Sequence, residues 1–140
     1  MSADTLAMAQ QFLSALPYAR ALGLTVVSVG KGMVEVSMPY DHRLIGDPAR
    51  GVIAGGAVSA LMDTCAGAAV MAHPETGTST ATLDLRIDYM RAATPGETVV
   101  AKAVCYHMTK SIAFVRAEAR DDDADRPVAT ATGAFTVARP

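Results

Sequence analysis

The sequence predicts an α+β protein in which a strongly curved antiparallel sheet wraps one long central helix. Three observations predict it. Between Gly51 and Ala72 the only charged residue is Asp63, so a helix there is apolar around nearly its whole circumference. Such a helix needs cover on all sides and cannot simply lie on a sheet. The runs after it have β character and are broken by turn residues. Its many small residues (Ala57, Ala60, Ala66, Gly67, Ala68, Ala69) let strands approach closely. At 140 residues the chain forms one domain, 1–140, with room for a real core.

The elements follow in order. Leu6, Ala9, Gln10, Leu13 and Leu16 fall at helical spacing, which predicts a short amphipathic helix over about 5–16, stopped by Pro17. Leu22–Val29 and Met33–Met38 are β-type runs joined by Gly30-Lys31-Gly32, a hairpin signal. Tyr40–Arg50 reads as a polar loop. The uncharged helix opens at Gly55-Gly56 and ends near His73-Pro74. Ser79–Tyr89 alternates, with Leu83, Leu85, Ile87 and Tyr89 on one face and Thr82, Asp84, Arg86 and Asp88 on the other. Thr98–Met108 and Ile112–Arg120 are strands joined at Thr109-Lys110-Ser111. Asp121–Pro127 reads as a solvated acidic turn, and Val128–Val137 closes the sheet. The four strands after the helix are expected in hairpin order.

Composition narrows the function. A net charge of −2, a pI near 5.8 and no Lys/Arg cluster leave no footprint for nucleic acid. The apolar segment is rich in Gly and Ala, and Asp63 near its centre costs about 2.5–3.5 kcal/mol in a bilayer, against a membrane span. The N-terminal residues lack the pattern of a secretory signal, and Cys65 and Cys105 lack metal-type spacing. Free buried thiols in a reducing cytoplasm are expected.

Asp63 is the candidate for chemistry. A carboxylate is costly to bury unpaired, so an acid in an apolar helix has either a structural partner or a chemical task. About two turns earlier, Gly55 and Gly56 open the helix where N–H groups lack intrahelical partners and the dipole is positive. Such an end can stabilise a developing oxyanion. Ser59, Ala60, Ala66 and Gly67 beside the acid are small and leave space for water or substrate.

The segment Gly51-Val-Ile-Ala-Gly-Gly-Ala-Val-Ser-Ala-Leu-Met-Asp63-Thr, then Thr82-Leu-Asp-Leu-Arg-Ile-Asp-Tyr-Met-Arg-Ala-Ala, resembles the PaaI-like (phenylacetic acid degradation) branch of hotdog acyl-CoA thioesterases. The resemblance runs from about Leu22 to Val137 and includes the Lys110-Ser111-Ile-Ala-Phe turn. It implies the hotdog fold and hydrolysis of an aromatic or fatty acyl-CoA, with no metal or redox cofactor. Asp63 would be base or nucleophile, the Gly55 N–H the donor to the carbonyl, and Thr82 the hydroxyl that holds the water. A homodimer, often paired into a tetramer, is implied as well. Gly56, Arg91, Lys110 and Ser111 are the candidates for CoA contacts, the last three on position alone. Two positions depart from the family pattern: Ala54 stands where a His commonly precedes the glycines, and Pro48 where an Asn or Gln is common. Asp47 and Arg50 are the nearby groups that could substitute.

Plainer readings stand beside these. Asp63 could bond a backbone amide or Arg86, and Gly55-Gly56 could serve close packing. Thr82 could be an ordinary β-former, and strict alternation puts it on the Asp84 face, so its reach to Asp63 needs a bend or bulge. A non-catalytic acyl-CoA-binding protein and an acyl-thioester dehydratase are the alternatives. Ala54 disfavours the dehydratase, which needs a His near the helix start.

Overall fold

A computed structural model describes residues 2–140. Helix α1 spans Ala3–Ser14 and is capped by Ser2, whose hydroxyl accepts from the Thr5 N–H. Pro17 does more than stop it: with no N–H to lose, it opens a second short helix, α2 (Pro17–Ala21). Gly23, at φ 70°, then turns the chain into the sheet. Strand β1 (Thr25–Gly30) therefore starts three residues later than the apolar run suggests. It pairs with β2 (Met33–Met38).

The segment expected as a plain loop is folded. A 3-10 turn at His42–Leu44 leads into β3 (Ile45–Asp47), which pairs with β4 (Val52–Ile53) as a two-stranded ribbon. Gly51 at φ 69° and the Arg50–Asp47 ion pair close its turn. Gly46 has to be glycine, because a Cβ there would lie 2.9 Å from that of Ala54. Helix α3 follows over Gly55–Met71, and then β5 (Thr82–Tyr89), β6 (Val99–Met108), β7 (Ile112–Arg120) and β8 (Ala129–Thr136).

All pairings are antiparallel and the main sheet runs β1-β2-β6-β7-β8-β5. The hairpin order expected for the last four strands holds for β6-β7-β8 only. Strand β5 pairs with β8 at the far edge, and residues 90–98 carry the chain back across to β6. A buried ion pair fixes that return. Asp121, at the start of the supposedly solvated acidic turn, is buried, its side chain fully so. It accepts from Arg91 (2.6 and 2.7 Å), from the Thr94 N–H and hydroxyl, and from the Asp123 N–H. The Arg91 guanidinium, helped by these donors, holds the Asp121 carboxyl well below the usual carboxylate range.

Helix α3 packs Leu61, Met62, Cys65 and Val70 into the sheet, against Val36, Met38, Val99, Val115 and Phe135. Alanines fill much of the layer between them, Ala57, Ala66 and Ala69 from the helix and Ala101, Ala103 and Ala113 from the sheet. The wrapping is incomplete. The face carrying Gly56, Ser59, Ala60, Asp63, Gly67 and Met71 stays partly or fully exposed. Among the described residues no helix is long and apolar enough to cross a membrane.

Candidate active site

Asp63 sits on that open face of α3 and is exposed in the single chain, so burial is not what constrains it. Its partner is the Thr82 hydroxyl, which donates to Oδ1 at 2.7 Å. Arg86, the structural alternative, pairs with Asp88 instead.

Thr82 reaches the helix because β5 is bulged. The register against β8 steps from Thr82–Phe135 to Asp84–Ala134, which leaves Leu83 as the extra residue. Leu83 is 56% exposed, outside the apolar face that alternation assigns it. Asp84 stabilises the bulge by accepting from the Ala134 N–H at 3.0 Å. Gly133 permits it, since a Cβ there would run into the Asp84 carbonyl oxygen. The extra residue puts Thr82 on the same side as Leu85, Ile87 and Tyr89. Those side chains face α3 across a groove of about 460 Å³, lined by Gly56, Ser59, Ala60, Asp63, Thr82, Leu85 and Ile87, with Tyr18 of α2 also in its wall.

At the other end of the helix face, the Gly55 and Gly56 N–H groups take no hydrogen bond within the described chain. The first helical bonds run from Ala57 and Val58 to the Ala54 carbonyl. Around Gly56 a Cβ would meet nothing within 4 Å, so its backbone is open to a ligand. The Tyr89 hydroxyl donates to the Gly55 carbonyl at 3.0 Å and ties β5 to the helix start. Sequence reasoning missed that tie: Tyr89 reads as one more residue of an apolar face, and only the bulge relates it to Thr82.

The remaining candidates lie elsewhere. All five N–H bonds of Arg91 are engaged, by Asp121 and by the carbonyls of Ala92 and Arg126, which leaves none for a phosphate. Lys110 and Ser111 form the β6–β7 turn; Arg139 donates to the Lys110 carbonyl and Val137 to that of Ser111. Lys110 lines a recess with Glu75, Met108, Thr109 and Arg139, apart from the groove. Ala54 donates to the Leu44 carbonyl and Pro48 sits in the β3–β4 turn, where Asp47 and Arg50 bind each other.

Cys65 is buried and bonds to the carbonyls of Val34 and Ala101; burial pushes its thiol up to about 12. Among the described residues no three His, Cys, Asp or Glu side chains gather as a metal site would require.

A six-stranded antiparallel sheet packed around one long helix is the hotdog fold. Residues 50–128 match the family model described as "Thioesterase superfamily", and the chain belongs to that family. A Pseudomonas aeruginosa protein of known structure is 40% identical, with a TM-score of 0.84, covering 95% of this chain and 98% of its own. A mutant of the phenylacetic acid degradation protein PaaI from Thermus thermophilus is 27% identical, with a TM-score of 0.77, covering 88% and 100%. The medium/long-chain acyl-CoA thioesterase YigI of Escherichia coli K12 is 23% identical, covering 91% of this chain and 90% of its own.

Proposed function

We propose that this protein is an acyl-CoA thioesterase that hydrolyses an acyl-CoA to the free acid and CoA. The observation that carries the reading is one helix face presenting both a carboxylate held by a strand hydroxyl and, at its start, unpartnered N–H donors. Asp63, as general base, takes a proton from water while the water oxygen attacks the thioester carbonyl carbon. The oxyanion that forms is met by the Gly55 N–H, with Gly56 beside it. As the tetrahedral intermediate collapses the C–S bond breaks, and the thiolate recovers the proton from Asp63. Water, thioester and protein balance the step, so it calls for no metal or redox cofactor. The Thr82 hydroxyl gives its hydrogen to Asp63, and its oxygen still has lone pairs to accept from the attacking water.

The two halves of this machinery need two chains. Gly55 and Asp63 are eight residues apart on one helix, about 12 Å along its axis, too far to act on one carbonyl. In a homodimer joined along the open edge of β5, the acid of one protomer faces the helix start of the other. Such dimers can pair again into a tetramer. The likeness to YigI supports an acyl-CoA substrate.

Purified protein should release free thiol from acyl-CoAs, and Asp63→Asn should abolish release with the fold intact. Gly55→Pro removes the donor at a helix position that accepts proline, after a residue already extended at φ −59°, ψ 138°. Mixing the two inactive variants should restore turnover through dimers with one intact site. Binding of acyl-CoA with no thiol release would favour the non-catalytic alternative.

A further inference from the structure

From Asp63 the open face of α3 continues toward its C-terminus, away from the groove just described. Gly67, Ala68, Met71 and Ala72 follow on it at spacings of four, five, eight and nine. Helix α1, packed on β1, stands beside this half, and two neighbouring hollows lie between the two helices. The first, about 180 Å³, begins at Asp63 and Thr82 and is walled by Phe12, Leu13, Gly67 and Phe135. The second, about 280 Å³, shares Phe12, Leu13, Ala68 and Met71 with the first and runs on between Met8 and the β1–β2 residues Val26, Val34 and Val36.

The polarity is graded. Asp63, Thr64, Thr80 and Thr82 cluster at the mouth. Beyond them the walls are apolar apart from Thr5, whose hydroxyl is bonded to Ser2. At the mouth the Thr80 hydroxyl is buried with no hydrogen-bond partner among the described residues, an arrangement that a polar atom of a bound molecule would relieve. Helix α1 is lightly held: only Leu13 is buried, Met8 and Phe12 are 69% and 61% exposed, and Gln10 pins it to β1 by accepting from the Val26 N–H at 2.7 Å.

Resting on the thioesterase reading, we infer that the pair of hollows between α1 and α3 is the acyl-chain slot and that it takes a straight saturated chain of about eight to ten carbons. The occupant must be polar at one end and apolar along the rest, with its polar end at Asp63. A fatty acyl thioester meets that description, and CoA, polar along its length, does not. The length follows from the helix. Asp63 to Met71 is about 12 Å along the axis, and an extended alkyl chain advances about 1.25 Å per carbon, from C–C bonds of about 1.52 Å. Ala68 and Met71 each line both hollows, so a chain that occupies the two in turn passes them.

The test is kcat/KM for straight-chain acyl-CoAs from acetyl to palmitoyl, on the full chain and on Ala68→Phe and Met71→Ala. In the wild type kcat/KM should rise about fourfold per methylene up to decanoyl, the factor that burial of one CH2 supplies, and then level off. Ala68→Phe should lower the decanoyl-to-butanoyl ratio at least hundredfold. Met71→Ala should carry the rise on to chains longer than decanoyl, which keeps the test decisive if the first variant folds poorly. A chain-length profile unchanged in both variants would overturn the slot while leaving hydrolysis standing. Should no thioester be cleaved, calorimetry with decanoyl-CoA and with CoA decides separately. Tighter binding of decanoyl-CoA that Ala68→Phe erases upholds the slot without the hydrolytic reading, and equal binding of the two overturns it.

Discussion

Replacing Thr82 by valine asks whether the bulge in β5 exists to serve Asp63. Valine keeps the β-branched shape and so the strand, and deletes only the hydroxyl that donates to Asp63 Oδ1 at 2.7 Å. Both groups are exposed in the single chain, so folding stability should change by less than about 0.5 kcal/mol. Catalysis is different, because the hydroxyl fixes where the carboxylate points when water is deprotonated. A hydrogen bond to a charged group contributes about 1.5–3 kcal/mol, which is about tenfold to hundredfold in kcat if it acts in the transition state. KM should hardly move, since the lost contact is to the base and not to the substrate. Thiol release from decanoyl-CoA, followed with a thiol-reactive dye, measures both constants. Thr82→Ser should restore most of the rate. A Thr82→Val protein with wild-type kcat, or one altered in KM alone, would refute the argument.

Three further outcomes are expected. Gly133→Ala should lower the thermal unfolding midpoint, at a cost of about 1–3 kcal/mol, because the added methyl meets the Asp84 carbonyl and Leu85 at the bulge. Asp121→Asn should destabilise by about 3–5 kcal/mol in chemical denaturation, since it leaves Arg91 largely buried without its counter-charge. As the folded Asp121 carboxyl is depressed, its contribution is complete above the ordinary carboxylate pKa of 3.8 and is lost as pH falls below it. Denaturation midpoints should therefore drop below about pH 4 in the wild type, and less so in the variant. Cys65 should resist iodoacetamide at neutral pH until the chain is unfolded, because burial holds its thiol far up the scale.

The elements legible in the sequence were those with a strong period or a strong break. The uncharged helix, the β1–β2 and β6–β7 hairpins and the sheet of six strands all follow from local pattern. What was not legible depends on contacts between distant segments. The place of β5 beside β8 is tied to Arg91 meeting Asp121, thirty residues away, and an acidic turn gives no local sign of a buried carboxylate. The β3–β4 ribbon is too short for any period to register. At the candidate site, Asp63 and the glycine pair stood out by composition, whereas the reach of Thr82 depended on a one-residue slip that alternation alone cannot reveal. The open helix face escapes the sequence for a simpler reason. Small residues raise no polar flag, so hydropathy counts an uncovered Gly or Ala as if it were core.

The alanine-filled layer between α3 and the sheet adds a second kind of mutational risk to the usual one. In most cores the damaging change is loss of a large side chain and the void it leaves. Here many contacts are made by methyl groups with no rotamers to give up on ordering and almost nothing to remove. The hazard is addition. One extra methylene at Ala66, Ala69, Ala101 or Ala103 must push helix and sheet apart along their whole contact, and the same displacement would move Asp63 relative to Thr82 on β5. Enlargement at its smallest sites should therefore be punished as truncation is at Leu61, Met62 or Phe135.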